Sequence, residues 1–313
     1  HTKKVDFNDK KYFEEISQDL LNKLAFAAST NDLFFRYQSS FENSDYSYDR
    51  AMAFESDLNE NTGQRLNKPL RYYRGFEQKG IIPNLILTPS VVNDARRIMI
   101  SSLGLSFLMD SASPSPETNR VQEDIDIHLL LKRQRSEKLR LSSALRMNAS
   151  FPYVLPMTSL PTKPEIQLMD AGARDNFGTK LTVRWLKVLE HWISKNTSGV
   201  VILQIRDNKR IMYNEQTRTF GLFDKFTAPI SNVFVNFPRI QDYDQDELLS
   251  LALDKYDVPV QMVNLNLREL QKDRISLSWH LTKREKLKVL AAIKRSSNVK
   301  EFERYRKLIE NSK

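Results

Sequence analysis

The run Glu165-Ile166-Gln167-Leu168-Met169-Asp170-Ala171-Gly172-Ala173-Arg174-Asp175-Asn176-Phe177-Gly178 changes character midway. Its first five residues have the length and composition of a strand, and Asp170 stands at the carboxyl end. The small residues after it form a turn. Thr179 can cap the helix that follows, where Leu181, Trp185, Leu186, Leu189, Trp192 and Ile193 recur at helical spacing. Val200-Val201-Ile202-Leu203-Gln204-Ile205 is a second apolar strand. Strand, turn, helix and strand in that order predict a βαβ unit, with a parallel pair and a right-handed crossover. Ligands in open α/β sheets bind beyond the carboxyl ends of strands. Asp170 is therefore the first candidate for chemistry, as a base or as the orienter of one. The same carboxylate could equally cap its turn, and geometry alone leaves both readings open.

Upstream, Leu85–Thr88 and Arg97–Ser101 read as two strands, with Asn93-Asp94 at a tight turn between them. Pro89 should close the first. Residues 124–134 and 137–149 look helical, and Ser150-Phe151-Pro152 stops the second. Residues 10–30 carry one amphipathic helix through Tyr12, Phe13, Ile16, Leu20, Leu21 and Leu24. Residues 31–80 hold many aromatics, Phe34, Phe35, Tyr37, Phe41 and Phe54 among them, without a sustained period, so an irregular aromatic cap is expected there. The Ser/Pro run at 111–119 reads as a surface loop. Downstream, a helix is expected near 244–255, a strand near 258–266, and basic helices near 283–295 and 298–311.

The chain has 313 residues, 48 Lys+Arg against 39 Asp+Glu, and no Cys. That excludes a disulfide framework, a thiolate metal site and a cysteine nucleophile. Charge is uneven: residues 281–313 hold 11 basic and 4 acidic side chains, a net of +7, which leaves +2 for the other 280 residues. Such a segment is either a solvated helix pair or a contact with an anionic membrane surface or acidic partner. No nucleic-acid module is present. No stretch approaches the ~18 apolar residues of a membrane span, and no secretory leader opens the sequence. A cytoplasmic location, or a peripheral one at a membrane, is expected.

The eight glycines are never closer than five positions apart. A Gly-rich loop that cradles phosphate or an oxyanion is therefore excluded. The nearest run to a nucleophile elbow, Gly104-Leu105-Ser106-Phe107-Leu108, has Leu where the second Gly must stand. His1, His128, His191 and His280 are scattered without metal-ligand spacing and read as structural or surface residues. No metal and no cofactor is expected.

Two blocks, Ser142-Ser143-Ala144-Leu145-Arg146-Met147-Asn148-Ala149-Ser150-Phe151-Pro152-Tyr153-Val154 and Leu168–Gly178, resemble the distal half of a patatin-like phospholipase. Leu85–Arg97 is similar to that family's middle strand pair. The order of blocks resembles long bacterial members, over about residues 10–295. The resemblance implies a lipid acyl hydrolase with a Ser–Asp dyad, in which Asp170 is the acid residue and a phospholipid or other lipid ester the substrate. Ala171, Gly172 and Asn176 would support the turn. Arg174 would meet an anionic headgroup or form an ordinary salt bridge. Ala171 stands where many members have Gly. The nucleophile elbow and oxyanion loop of the family lie before the Asp and are not in these residues, so an N-terminal segment of a longer product is expected to supply them.

The architecture that follows is α/β, a three-layer sandwich with a mostly parallel sheet, incomplete at its N-terminal side. Residues 1–280 would form the patatin-like part and 281–313 a basic helical tail. A non-catalytic lipid-surface or protein-binding module with a degenerate fold is the alternative. A triad of Ser142 or Ser143, His280 and Asp170 is a remote one, because both serines lie within a helix.

Overall fold

A computed structural model describes residues 10–22, 25–27, 38–41, 44–47, 50–109, 122–150, 155–208, 244, 245, 247–253, 256–268, 275 and 280–310. The loop expected at 111–119 and aromatics Phe34, Phe35 and Tyr37 lie outside those residues. The chain is mixed α/β and forms two compact units, residues 1–171 with 277–282, and residues 172–276 with 283–313.

The first unit holds α1 (Lys10–Ile16), a hairpin of β1 (Gln38–Phe41) and β2 (Ser44–Ser47), α2 (Arg50–Asn61) and α3 (Leu70–Gln78). Then come β3 (Ser90–Val91), β4 (Arg97–Met99), β5 (Asp124–Asp126), α4 (Ile127–Leu130), α5 (Leu141–Asn148), β6 (Thr158–Leu160) and β7 (Ile166–Met169). Its main sheet has the order β5-β4-β3-β7-β6. Only β4 and β5 are parallel neighbours; the other three pairings are antiparallel. Leu87, Val91, Ile98, Ile100, Ile127, Ala144, Leu160 and Leu168 form the core between this sheet and its helices.

The predicted hairpin is present, with Ser90 opposite Arg97 and Leu87 bridging Ile100. Its first strand is shifted to Ser90–Val91, because Pro89 has no N–H to give and serves only as acceptor for Ile98. Residues 31–80 differ from an irregular cap in carrying the β1–β2 hairpin and two helices. Helix α2 escapes a periodicity reading because Glu55, Asp57 and Asn59 are buried with Ala51, Ala53 and Phe54, so its inward face is half polar. The helix predicted over 10–30 is interrupted: Asp19 accepts the Leu21 N–H at 2.7 Å, an Asx turn that competes with helix. Of residues 124–134 only Ile127–Leu130 are helical. Asp124–Asp126 pair with β4, where Arg97 takes the Asp124 carboxylate.

The second unit holds α6 (Gly172–Asp175), α7 (Thr179–Asn196), β8 (Val200–Asn208), α8 (residues 247–253), β9 (Val260–Arg268), α9 (Lys283–Ile293) and α10 (Ser296–Glu310). Strands β8 and β9 are parallel over Val200–Asn208 and Val260–Arg268. Gly199 (φ +155°) starts β8 where a Cβ would come within 2.7 Å of the Pro259 carbonyl oxygen. Helices α9 and α10 pack on β9. Asn298 closes the free edge of β9: its side-chain amide accepts the Asn266 N–H at 3.0 Å and donates to the Asn266 carbonyl at 2.8 Å, as a neighbouring strand would.

The βαβ expectation needs correction at its first strand. Strand, helix and strand follow in order from 166 to 208, but β7 and β8 do not pair. Both edges of β7 are taken, by β3 and β6, and β8 takes β9 as its parallel partner. Strand β6, between Pro156 and Pro161, is antiparallel to β7 and takes its second edge.

Candidate functional site

Strand directions collect the chemistry at one edge of the first unit. Strands β4 and β5 are parallel, and β7 runs the same way because each of β4 and β7 is antiparallel to β3. Asp126, the Ile100–Ser102 segment and Asp170 therefore all leave the sheet at its carboxyl edge, which is where α/β sheets bind ligands.

Asp170 follows the last residue of β7 and is half-buried. Its N–H donates to the Ser150 carbonyl at 2.6 Å, and the Ala171 N–H donates to the Asn148 carbonyl at 3.2 Å. Those carbonyls belong to the exit of α5, where helical C=O groups lack internal partners. The helix end and the strand end thus satisfy each other. Asn148 also accepts the Thr88 N–H through Oδ1 at 2.8 Å, so one residue ties the helix exit, the entry to β3 and the Asp170 turn together. Ser150 locks its own end by donating to the Arg146 carbonyl at 2.8 Å. The backbone at Asp170 is fixed by two hydrogen bonds to the exit of α5, which is itself tied down by Asn148 and Ser150.

Ala171 has a negative φ, so the methyl group at this position meets no left-handed requirement. Ala171 belongs to the first unit; Gly172, Arg174 and Asn176 belong to the second. Gly172 opens the single turn α6 with ordinary φ. Arg174 is half-buried and has its own interactions, and its carbonyl accepts from Gln245 Nε2 at 3.5 Å. Asn176 is exposed at the mouth of a polar cavity of about 280 Å³ that Thr179, Thr182 and Gln204 also line. The cap of α7 is not Thr179. Gly178, at φ +66°, is the N-cap residue, and Asp175 receives the N–H groups of Lys180 and Leu181 at 3.4 and 3.3 Å.

The serines and histidine of the remote triad are each placed for other work. Ser142 is fully buried in α5. Ser143 donates to Glu55 Oε2 at 2.8 Å, and His280 Nδ1 lies 3.3 Å from Asp19 Oδ2.

Sequence reading missed the buried polar groups of β4 and β5, Arg97 and Asp124 at their amino ends and Asp126 at the carboxyl edge. Arg97 and Asp124, 1% and 0% exposed, form a two-armed pair at 2.5 and 2.9 Å between β4 and β5. Asp126 accepts the N–H groups of Leu105 and His128 at 2.7 and 2.8 Å. The His128 ring reaches Ser136 Oγ at 2.8 Å and the Ser101 carbonyl at 3.0 Å. Glu77 takes the Ser102 hydroxyl at 2.7 Å and the Asn84 amide at 2.6 Å. The alternation Asp124-Ile125-Asp126-Ile127 was the available signal, since a charged residue every second position marks one face of a strand. Beside Glu77 and Ser102 lies an apolar cavity of about 270 Å³, lined by Leu70, Tyr73, Leu85, Leu87, Ile100 and Leu141 among others. Burial raises the Tyr73 pKa above its ordinary value, with the neighbouring Tyr72 adding to the effect.

Among the described residues no group of His, Asp and Glu is placed to hold a metal ion, and no helix is long and apolar enough to cross a membrane. No family model, no curated protein and no solved structure matched this chain.

Proposed function

We propose that the chain is the distal half of a patatin-like lipid acyl hydrolase, and that Asp170 is its general base. The observation that carries this reading is Asp170 itself: a half-buried carboxylate on a backbone held by Ser150 and Asn148, at an edge that also opens an apolar cavity. The resemblance of Ser142–Val154 and Leu168–Gly178 to the patatin-like pattern supports it, since the segment that pins Asp170 is the one carrying that pattern. The three-layer architecture belongs to the same proposal.

In this reading a serine hydroxyl supplied from outside these residues attacks the ester carbonyl while Asp170 takes its proton. That proton passes to the departing alcohol. Asp170 then removes a proton from water, which attacks the acyl-serine; that proton passes to the departing serine oxygen as the fatty acid is released, restoring both residues. The acyl chain lies against apolar side chains such as Leu85 and Leu87. The test is hydrolysis of a lipid ester by the whole polypeptide carrying this chain, wild type against Asp170→Asn. A fall of about 10²–10⁴-fold in kcat with an unchanged melting curve is expected for loss of a general base. Unchanged turnover would remove Asp170 from the mechanism. If the wild type also lacks turnover, the chain is a binding module.

A further inference from the structure

The last helices of the second unit present a surface that a solvated helix pair does not need. Helix α9 packs on β9 and α10, with Ala292 only 1% exposed. On its other side Leu287, Leu290 and Ile293 are 66%, 41% and 52% exposed. Lys283, Leu287, Leu290 and Lys294 follow at steps of four, three and four residues, so they share one face, with two leucines at the middle and a lysine at each end. Arg284 is exposed beside them. Residues 283–295 hold six basic side chains and one acidic one, a net of +5.

We propose that this face of α9 docks on the surface of an anionic phospholipid bilayer, lying in the plane of the headgroups. The helix is 11 residues long, too short to span a bilayer, so in-plane burial of its leucines is the available mode. Lysines at both ends can extend their ammonium groups to lipid phosphates while their stems lie along the apolar stripe. Charge selects this occupant over a second copy of the chain, because self-association would bring two segments of net +5 together, with Lys283 and Lys294 of each face opposed. The exposed aliphatic side chains select it over an acidic, polar protein surface, which gives them nothing to bury against. The inference stands whether or not Asp170 is catalytic.

The experiment is co-sedimentation of the full chain with vesicles of phosphatidylcholine alone, or of phosphatidylcholine with phosphatidylserine. It is run at about 0.1 M and about 1 M salt, where the screening length falls from about 10 to 3 Å. Binding to the anionic vesicles at the lower salt is expected, with a loss of about 10-fold or more at high salt or without phosphatidylserine. Lys283→Gln with Lys294→Gln, and separately Leu287→Ser with Leu290→Ser, should each weaken binding by about 10-fold while circular dichroism stays unchanged. Absence of binding, or equal binding to neutral vesicles, would overturn the proposal; neither result depends on a variant folding. A loss confined to the lysine variant would assign the face to a polar acidic partner instead. A dimer in lipid-free buffer that the leucine variant dissolves would assign it to self-association.

Discussion

Asp126 and Asp170 end two strands that point the same way, yet their surroundings differ. Asp126 is 2% exposed, and each of its oxygens receives a backbone N–H, from Leu105 and from His128. Asp170 is half-buried and is held through its main chain, by the carbonyls of Ser150 and Asn148. The Asp126 carboxylate ties down two neighbouring backbone N–H groups, and the Asp170 main chain is tied to the exit of α5. Position at a strand end alone therefore does not assign a carboxylate its role.

The contrast can be broken by substitution. The largest effect belongs to Asp170→Asn, which should leave thermal stability near wild type while ester hydrolysis by the whole polypeptide falls about 10²–10⁴-fold. Next in size, Asp124→Ala leaves Arg97 charged inside the sheet and should cost about 3–5 kcal/mol in urea unfolding. The paired change Arg97→Met with Asp124→Leu should restore most of that loss, because an apolar pair of similar volume needs no desolvation. If the double variant is no better than the single one, the pair is holding strand register and not merely balancing charge.

Asp126→Ala comes third, at about 1–3 kcal/mol, chiefly for the buried Leu105 N–H left without a partner. Its turnover per folded molecule should match wild type, and a selective loss of turnover would move Asp126 into the chemistry. The smallest effect is at alkaline pH. Burial raises the Tyr73 pKa in the folded state above its ordinary 10.0, so the folded chain holds that proton more tightly than the unfolded one. The resulting stability is present below pH 10 and is lost as pH rises through the folded value. Tyr73→Phe should flatten the alkaline limb of a melting-temperature profile and leave the neutral region shifted only by the lost hydrogen bond to the Arg65 carbonyl.

How much of this was legible differs by element. Helix α7 was readable because its apolar residues obey one period, with Leu181, Leu186 and Ile193 all buried. Strands β8 and β9 were readable from their apolar composition, although in β8 it is Gln204 and Arg206 that are buried and Leu203 and Ile205 that are exposed. Helix α2 was not, since Glu55 faces inward to serve Ser143 and Arg146, residues roughly ninety positions away. A buried acid that answers a distant base leaves no local trace. Strand β5 was hidden for the same reason: Asp124 belongs in the core only because Arg97 is already there. The Asp170 turn could be located from its neighbours in sequence. That Ser150 and Asn148 hold it from the end of α5 could not, because the contacts join backbone atoms of two separate elements.

Asn298 has a consequence for assembly. By presenting an amide where another chain's peptide group would sit, it occupies the hydrogen-bonding groups of Asn266 and blocks strand addition at that point of β9. On the other strand of this small sheet Leu203 and Ile205 are 44% and 63% exposed.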